Sequence, residues 1–134
     1  MAKYLLDTNH LSAAVDDRGG VRQRLYERHR SGSVFATCVP VLCELETGFH
    51  VTKRRDHNRF LLARLLRHVR IWPLEPALAT TYAQIFHELR AAGRVLSPVD
   101  MTLAAMCRTQ KAILLTTDRD FEALPDIQTE NWLN

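Results

Sequence analysis

Short apolar runs alternate along the chain with longer amphipathic segments. Four of the short runs have the length and apolar character of strands, so they predict strands. They are KYLLD at 3–7, SVFATC at 33–38, VRIWPLE at 69–75 and AILLTTD at 112–118. Pro73 ends the third run or confines it to a sheet edge, because proline cannot donate to a hydrogen-bonded ladder. A weaker run, IQTENW at 127–132, predicts a final edge strand.

The segments between these runs carry apolar residues at helical spacing and predict six helices. In chain order they cover residues 10–15, 21–30, 40–49, 57–69, 76–93 and a stretch that begins after Ser97. Thr37 is expected to cap the third helix, Ser97 to cap the sixth, and Gly93 to end the fifth. The apolar stripe of the fourth helix consists of Leu61, Leu62, Leu65, Leu66 and Val69.

This alternation is typical of an α/β domain with a mainly parallel sheet, here of four to five strands. At 134 residues we expect a single domain, 1–134. Apolar residues at 46% and charged residues at 25% indicate a globular protein. No apolar run approaches the ~20 residues that cross a membrane, and Asp7 interrupts the N-terminal run early. We therefore expect neither a membrane span nor a signal peptide.

The cysteines and the net charge further limit the class of protein to which this chain could belong. The cysteines, Cys38, Cys43 and Cys107, lack C-x-x-C spacing, and the six histidines are scattered. We therefore expect reduced thiols in a cytoplasmic protein, and we expect no zinc site. The formal net charge is +3, with most of the positive charge on arginine. This mild excess favours a polyanionic partner, since the guanidinium group matches phosphate oxygens.

Three carboxylates are predicted at one edge of the sheet. Asp7 and Asp118 follow strands, and Asp100 lies at a helix start. In α/β sheets these positions share the edge at which ligands bind. Carboxylates gathered there would repel one another unless a cation lay between them, and an all-oxygen set favours Mg²⁺ or Mn²⁺. Such a site can clamp a phosphate during in-line displacement, as a nuclease requires.

Each acid also has a simpler explanation. Asp7 could cap the helix that follows it, and Asp100 could complement a helix dipole. The acids of TTDRDF could be turn residues. Glu44 and Glu46 lie in a helix interior, roughly 200° apart around its axis. Periodicity alone does not decide which of the two faces inward.

Four segments add a signal through their order and spacing: YLLDTN at 4–9, ELETG at 44–48, SPVDMTLAA at 97–105 and LLTTDRDF at 114–121. Together they resemble PIN-domain ribonucleases, and specifically the VapC-type toxins of type II toxin–antitoxin systems. The resemblance covers the chain from Tyr4 to its end. It implies a three-layer α/β/α sandwich around a parallel sheet (PIN-like) and an endoribonuclease that depends on Mg²⁺ or Mn²⁺. It also implies a homodimer and a small cognate antitoxin whose tail occupies the active-site groove.

The resemblance also assigns the acids of the site. The first and second acids of the family match Asp7 and Glu44, which decides between Glu44 and Glu46. The third matches Asp100. The fourth falls on Asp118, with the neighbouring Asp120 as a substitute.

These acids define the expected mechanism. The four carboxylates would hold one or two divalent ions, and in-line attack of water would leave a 5′-phosphate and a 3′-hydroxyl. No histidine is expected as a general base, because none stands beside an acidic motif, and His10 is expected to be an ordinary surface or core residue. Thr8 and Asn9 are expected to brace the turn after Asp7 through side-chain to backbone hydrogen bonds.

Two basic clusters are candidates for RNA contact, although each could equally be a solvated face. One comprises Arg18, Arg22 and Arg24, and the other Lys53, Arg54 and Arg55. The substrate expected from the resemblance is structured transfer or ribosomal RNA, whose cleavage inhibits translation.

Two other functions compete with this hypothesis. A PIN-like scaffold could bind RNA or an antitoxin without cutting, although the complete set of four acids argues against it. A phosphatase with an aspartyl nucleophile usually has a second acid two residues after the first, where this chain has Asn9.

Overall fold

The computed structural model describes residues 1–133 and contains five strands, six α-helices and one 3₁₀ helix in that range. The strands are β1 (Lys3–Leu6), β2 (Val34–Thr37), β3 (Arg70–Ile71), β4 (Ile113–Leu115) and β5 (Thr129–Glu130). The α-helices are α1 (Thr8–Asp16), α2 (Val21–Arg30), α3 (Val39–His50), α4 (Arg55–Leu65), α5 (Leu78–Ala91) and α6 (Pro98–Gln110). The 3₁₀ helix spans Arg119–Ala123.

The strands form one parallel sheet in the order β3-β2-β1-β4-β5. In the central strand, Leu5 pairs with Ala36 of β2 and with Leu114 of β4, and all three residues are fully buried. Strands covered on both faces have continuous apolar sequences, which is why the runs were recognisable. The predicted α/β fold with a parallel sheet is confirmed.

The helices form two contacting groups, α1 to α4 and α5 with α6. The first group connects β1 through β2 to β3, and the second returns the chain across the sheet to β4. Parallel crossovers are right-handed, so connections that run in opposite directions along a sheet place their helices on opposite faces. The result is an α/β/α sandwich, in which the carboxyl ends of β1 and β4 lie side by side.

Local capping signals predicted two helix boundaries correctly. At the start of α6, the Ser97 hydroxyl oxygen accepts a hydrogen bond from the Asp100 N–H at 3.1 Å. After α5, Gly93 has φ +68°, and the N–H of Arg94 donates to the carbonyl of Leu89 at 2.9 Å. A residue with a side chain would be strained in that left-handed conformation.

Two details of the prediction are wrong because tertiary contacts override local sequence. Cys38, not Thr37, precedes α3, and the Thr37 hydroxyl donates instead to the Leu6 carbonyl on the neighbouring strand at 3.3 Å. The fourth helix spans Arg55–Leu65 rather than 57–69. The apolar stripe beyond it continues through a turn, with Val69 buried just before β3.

The C-terminal segment packs back onto the first two strands. The Trp132 ring is buried, and its centroid lies 5.2 Å from that of Tyr4 and 5.9 Å from that of Phe35. Of the three free cysteines, Cys38 and Cys107 are buried and Cys43 is exposed. Over residues 1–133, none of the helices has the length and apolar character needed to cross a bilayer.

Candidate active site

A polar cleft of about 480 Å³ opens at the carboxyl edge of the sheet. It is lined by the ends of β1 and β4, the first turns of α1 and α6, and one residue of α3. The lining residues are Asp7, Thr8, Asn9, Glu44, Ser97, Asp100, Thr116, Thr117 and Asp118. The structure thus brings together four acids that are separated by as many as 111 positions in the sequence.

Asp7 both caps a helix and lines the cleft. Its backbone continues the sheet, since its N–H donates to the Leu115 carbonyl at 3.1 Å. Its Oδ1 atom accepts from the His10 N–H at 2.8 Å, which caps α1. The residue is only 6% exposed and its carboxylate lines the cleft. The capping and site explanations left open by the sequence are therefore compatible.

The pKa of Asp100 shows that gathering the four acids in one cleft disfavours their charged forms. Burial raises the pKa of its carboxyl above the ordinary value, and the contact with Ser97 opposes that rise. The negative charges of Asp118, Asp7 and Glu44 raise the pKa further, in that order. The four carboxylates are therefore close enough to repel one another, which is the condition that a bound cation relieves.

Glu44 lies in the cleft because of the face of α3 that it occupies. Its Oε1 accepts a hydrogen bond from the Thr8 hydroxyl. Glu46 lies outside the cleft lining and pairs with Arg59, whose Nε is 2.9 Å from its Oε2. The prediction of side-chain to backbone bracing is wrong for Thr8 and also for Asn9, whose Nδ2 donates to the Thr117 side chain at 3.3 Å.

The two acids of TTDRDF have different surroundings. Asp118 lines the cleft and caps the 3₁₀ helix, with its Oδ1 accepting from the Asp120 N–H at 2.8 Å. Asp120 lies outside the cleft lining and forms an ion pair with Arg94, whose Nη1 is 2.9 Å from its Oδ1. Asp118 is thus the acid of this turn that the fold places with the other three.

His10 lies outside the cleft lining but contacts Asp7, a feature that the sequence prediction missed. The expectation that no histidine stands beside an acidic motif is wrong, because the Nδ1 atom of His10 lies 3.0 Å from the Oδ1 atom of Asp7. As expected of a core residue, His10 is fully buried. The spacing of three residues, which places both side chains at the first turn of one helix, was the available signal.

The donor chemistry of the cleft fits a hard divalent cation. Every side chain that lines it offers oxygen, with no thiol or imidazole among the lining residues. Within residues 1–133, no three acidic, histidine or cysteine groups are already arranged to hold a metal ion. Mg²⁺ suits such a site, because it keeps several of its waters and usually takes only one or two carboxylates directly.

The first basic cluster is largely engaged within the fold. Arg22 donates from Nε to the Ala14 carbonyl at 2.8 Å and from Nη2 to the Val15 carbonyl, at the end of α1. The Arg24 guanidinium lies 4.2 Å from the centre of the Trp132 ring. Arg18 is exposed beside Asp16, with 3.4 Å between Nε and Oδ2.

The second basic cluster lies on the surface between α3 and α4. Lys53, Arg54 and Arg55 are all exposed. Arg55 lies near Asp56, with 3.6 Å between Nε and Oδ1, whereas no ion pair within residues 1–133 involves Lys53 or Arg54. These two cations are the ones in the cluster that remain available to a polyanion.

A parallel α/β/α sandwich with an acidic cleft at its carboxyl edge defines a class of domain, and comparison with known families agrees. The model of the family described as PIN domain matches residues 4–127. The chain belongs to the PIN domain family. The sequence-based recognition of a PIN domain is thereby confirmed.

Curated relatives align with nearly the whole chain. The chain is 28% identical to the tRNA(fMet)-specific endonuclease VapC of Shigella flexneri over 98% of this chain and 99% of that protein. It is 25% identical to ribonuclease VapC2 of Rickettsia felis, over 96% of this chain and 97% of the relative.

Solved structures show the same fold. The VapBC2 complex of Rickettsia felis, bound to a promoter DNA fragment, contains a chain with a TM-score of 0.86 and 24% identity, covering 97% of this chain and 98% of that one. DNA-bound VapBC from Salmonella typhimurium gives a TM-score of 0.81 at 23% identity, covering 98% and 99%.

Proposed function

We propose that this protein is a Mg²⁺- or Mn²⁺-dependent endoribonuclease and the toxin of a toxin–antitoxin pair, which cleaves structured RNA and thereby inhibits translation. The observation that carries the proposal is the convergence of Asp7, Glu44, Asp100 and Asp118 on one cleft, where burial and, after it, mutual repulsion raise the pKa of Asp100. A binding scaffold gains nothing from gathering like charges that oppose both folding and the approach of a phosphate.

The four cleft carboxylates would hold the cation, directly or through water. When bound, a divalent ion supplies activation of water and neutralisation of charge on the phosphate and leaving oxygens. The chain's own groups prepare this site. Thr8 donates to Glu44 and fixes its side chain, and Ser97 fixes the first turn of α6 that carries Asp100. Asp118 is held by the N–H of Asp120.

The proposed substrate is a structured RNA such as a transfer or ribosomal RNA. The Shigella flexneri relative is named for action on tRNA(fMet), which supports a transfer RNA without specifying one here. Exposed Lys53 and Arg54 would contact phosphates outside the cleft. The net charge of +3 reduces repulsion between the RNA and the acidic cleft.

The proposed protein partners are a cognate antitoxin and a second copy of the chain. The two solved structures described above are VapBC complexes, which supports an antitoxin partner for this chain as well. An antitoxin tail that enters the groove would compete with RNA for the same cleft. The family resemblance is what supports the homodimer.

The proposal is tested with purified, antitoxin-free protein and total bacterial RNA. Wild type should release discrete fragments with Mg²⁺ or Mn²⁺, and both EDTA and Asp7→Asn should abolish them. The fragments should carry 5′-phosphates and 3′-hydroxyls. Glu46→Gln is the matched control, because it removes a carboxylate from the same helix as Glu44 but outside the cleft.

Each contrary result identifies a different function. A 2′,3′-cyclic phosphate end would exclude in-line attack by water. Folded protein that binds RNA but cuts none with either metal would indicate a binding scaffold. Turnover of a small phosphomonoester with no cleavage of RNA would indicate a phosphatase that uses Asp7 as its nucleophile.

A further inference from the structure

His10 is a fully buried histidine whose two ring nitrogens both have partners. Nδ1 lies 3.0 Å from the Oδ1 atom of Asp7. Nε2 lies 3.1 Å from the backbone nitrogen of Trp132, which is 122 positions away in the sequence. One imidazole ring therefore connects a cleft carboxylate to the C-terminal segment.

These two partners assign the tautomer of the ring. A backbone N–H can only donate, so Nε2 must accept from Trp132 and cannot carry a proton. The proton of the neutral imidazole is then on Nδ1, from which it is donated to Asp7. The opposite tautomer would place N–H against N–H at Trp132 and would leave Nδ1 without a proton to donate.

The result at Asp7 is an asymmetric carboxylate. Oδ1 accepts both from the His10 backbone N–H at 2.8 Å and from its Nδ1 at 3.0 Å, which uses both of its lone pairs. Both hydrogen bonds to this carboxylate from residues 1–133 go to Oδ1. Since no buried side-chain oxygen in that range lacks a partner, Oδ2 must reach the solvent of the cleft.

We propose that His10 is a positioning residue for the reaction: its Nδ1–H fixes the Asp7 carboxylate so that Oδ2 faces the metal cleft, and the Trp132 backbone fixes the tautomer that makes this possible. The inference rests on the proposed function, in which Asp7 holds the cation. Groups that orient a metal ligand in this way raise metal affinity, because the ligand is already held in the geometry that the ion requires.

The inference also gives the C-terminal segment a role in the site. Trp132 lies beyond residues 4–127, which the PIN domain family model matches. Its position is fixed by packing against Tyr4, by the guanidinium of Arg24, and by donation from its Nε1 to the Glu130 carboxylate at 2.9 Å. Residues that never touch the cleft thus determine which nitrogen of His10 carries the proton.

Two substitutions separate the functions of the two ring nitrogens. His10→Asn can keep a donor at the place of Nδ1 but loses the acceptor for Trp132. His10→Gln can keep an acceptor at the place of Nε2 but loses the donor to Asp7. Both remove one buried hydrogen bond, so a merely structural role predicts similar losses of stability and activity for the two.

The measurements are Mn²⁺ affinity by titration calorimetry without RNA, RNA cleavage, and chemical unfolding of each variant. We expect His10→Gln to weaken Mn²⁺ binding by about 10- to 100-fold, with a matching loss of cleavage, whereas His10→Asn retains most of both. His87→Gln, at an exposed position on α5, controls for the substitution itself. Equal Mn²⁺ affinities for wild type and both His10 variants would overturn the positioning role and leave the proposed function standing.

The tautomer is measured separately, on wild type. Nitrogen-15 NMR of the histidine rings should show His10 protonated at Nδ1 only. A proton on Nε2 would overturn the inference even if neither variant folds. Wild type that neither binds Mn²⁺ nor cuts RNA would instead overturn the proposed function, and the positioning role with it.

Discussion

Arg94 donates from Nη1 to the Oδ1 atom of Asp120 across 2.9 Å, so that the carboxylate of Asp120 is paired with a cation outside the acidic cleft. Asp118, only two residues earlier, lines the cleft. The N–H of Asp120 also donates to Asp118, which keeps the turn between them tight. The short 3₁₀ turn therefore gives two neighbouring acids different surroundings. Asp120 forms an ion pair with Arg94, and Asp118 lines the cleft.

Because the two acids have different surroundings, isosteric replacement of each should affect RNA cleavage differently. Asp118→Asn should lower RNA cleavage by about 100-fold or more, because it removes a cleft charge while the amide oxygen can still cap the turn. Asp120→Asn should retain most of the activity and lose less than about 1 kcal/mol of stability, since its ion pair is exposed. Single-turnover cleavage and urea unfolding test both. The reverse order of activities would make Asp120 the fourth acid.

The raised pKa of Asp100 predicts a trade of stability against activity. The folded protein holds this proton more tightly than the unfolded chain does. Stability is therefore lost as the pH rises from the unfolded value near about 4 through the raised folded value. Without metal at pH 7, Asp100→Asn should be more stable than wild type, by less than about 1 kcal/mol because the carboxyl is partly solvated. Near pH 4 the difference should shrink.

The effect of added metal on the stability of the two proteins is the control for this prediction. Added Mg²⁺ or Mn²⁺ should stabilise wild type more than Asp100→Asn, because an ion that binds only the folded state adds stability according to its affinity. Chemical unfolding of both proteins in EDTA and in excess metal, at both pH values, measures these free energies of unfolding. An Asp100→Asn protein that is less stable than wild type in EDTA at pH 7 would show that burial and repulsion of the Asp100 charge do not govern stability at this position.

Features fixed by neighbouring residues could be predicted from the sequence. Buried strands have continuous apolar sequences, and the Ser97 cap depends only on a residue three positions away. Features fixed by distant residues could not. The fourth helix ends early because its apolar stripe continues through a turn into β3, and Thr37 bonds across the sheet to Leu6 rather than to its own helix.

Features of the site likewise divide into those that the sequence could predict and those that depend on distant residues. The order of strands and acidic residues predicted which carboxylates would share an edge. The choice between Asp118 and Asp120 depends on Arg94, which lies 26 positions from Asp120 in the sequence. The role of His10 depends on a backbone group 122 positions away, which no local pattern specifies.

Arg22 is expected to act in folding rather than in RNA binding. Its guanidinium donates to the carbonyls of Ala14 and Val15, which carry partial negative charge at the end of α1. Arg22→Ala should cost about 2 kcal/mol, because hydrogen bonds to charged groups are the stronger kind. Arg18→Ala, which breaks an exposed pair with Asp16 and an exposed hydrogen bond to the Ser12 hydroxyl, should cost less than about 1 kcal/mol. Urea unfolding measures both costs. A stable Arg22→Ala protein with weakened RNA binding would restore Arg22 as an RNA contact.

Lys53 and Arg54 are expected to contact phosphates instead. Both are exposed and take part in no ion pair within residues 1–133, so their replacement should leave folding intact. In an Asp118→Asn background that does not cut, Lys53→Gln with Arg54→Gln should flatten the dependence of log affinity on log salt. The slope should change by about one for each phosphate that the protein no longer neutralises. Arg30→Gln with Arg67→Gln removes the same charge from other exposed positions and should change the slope less. An equal change in both double variants would mean that RNA senses only the net charge of the protein, and that the surface between α3 and α4 does not guide it.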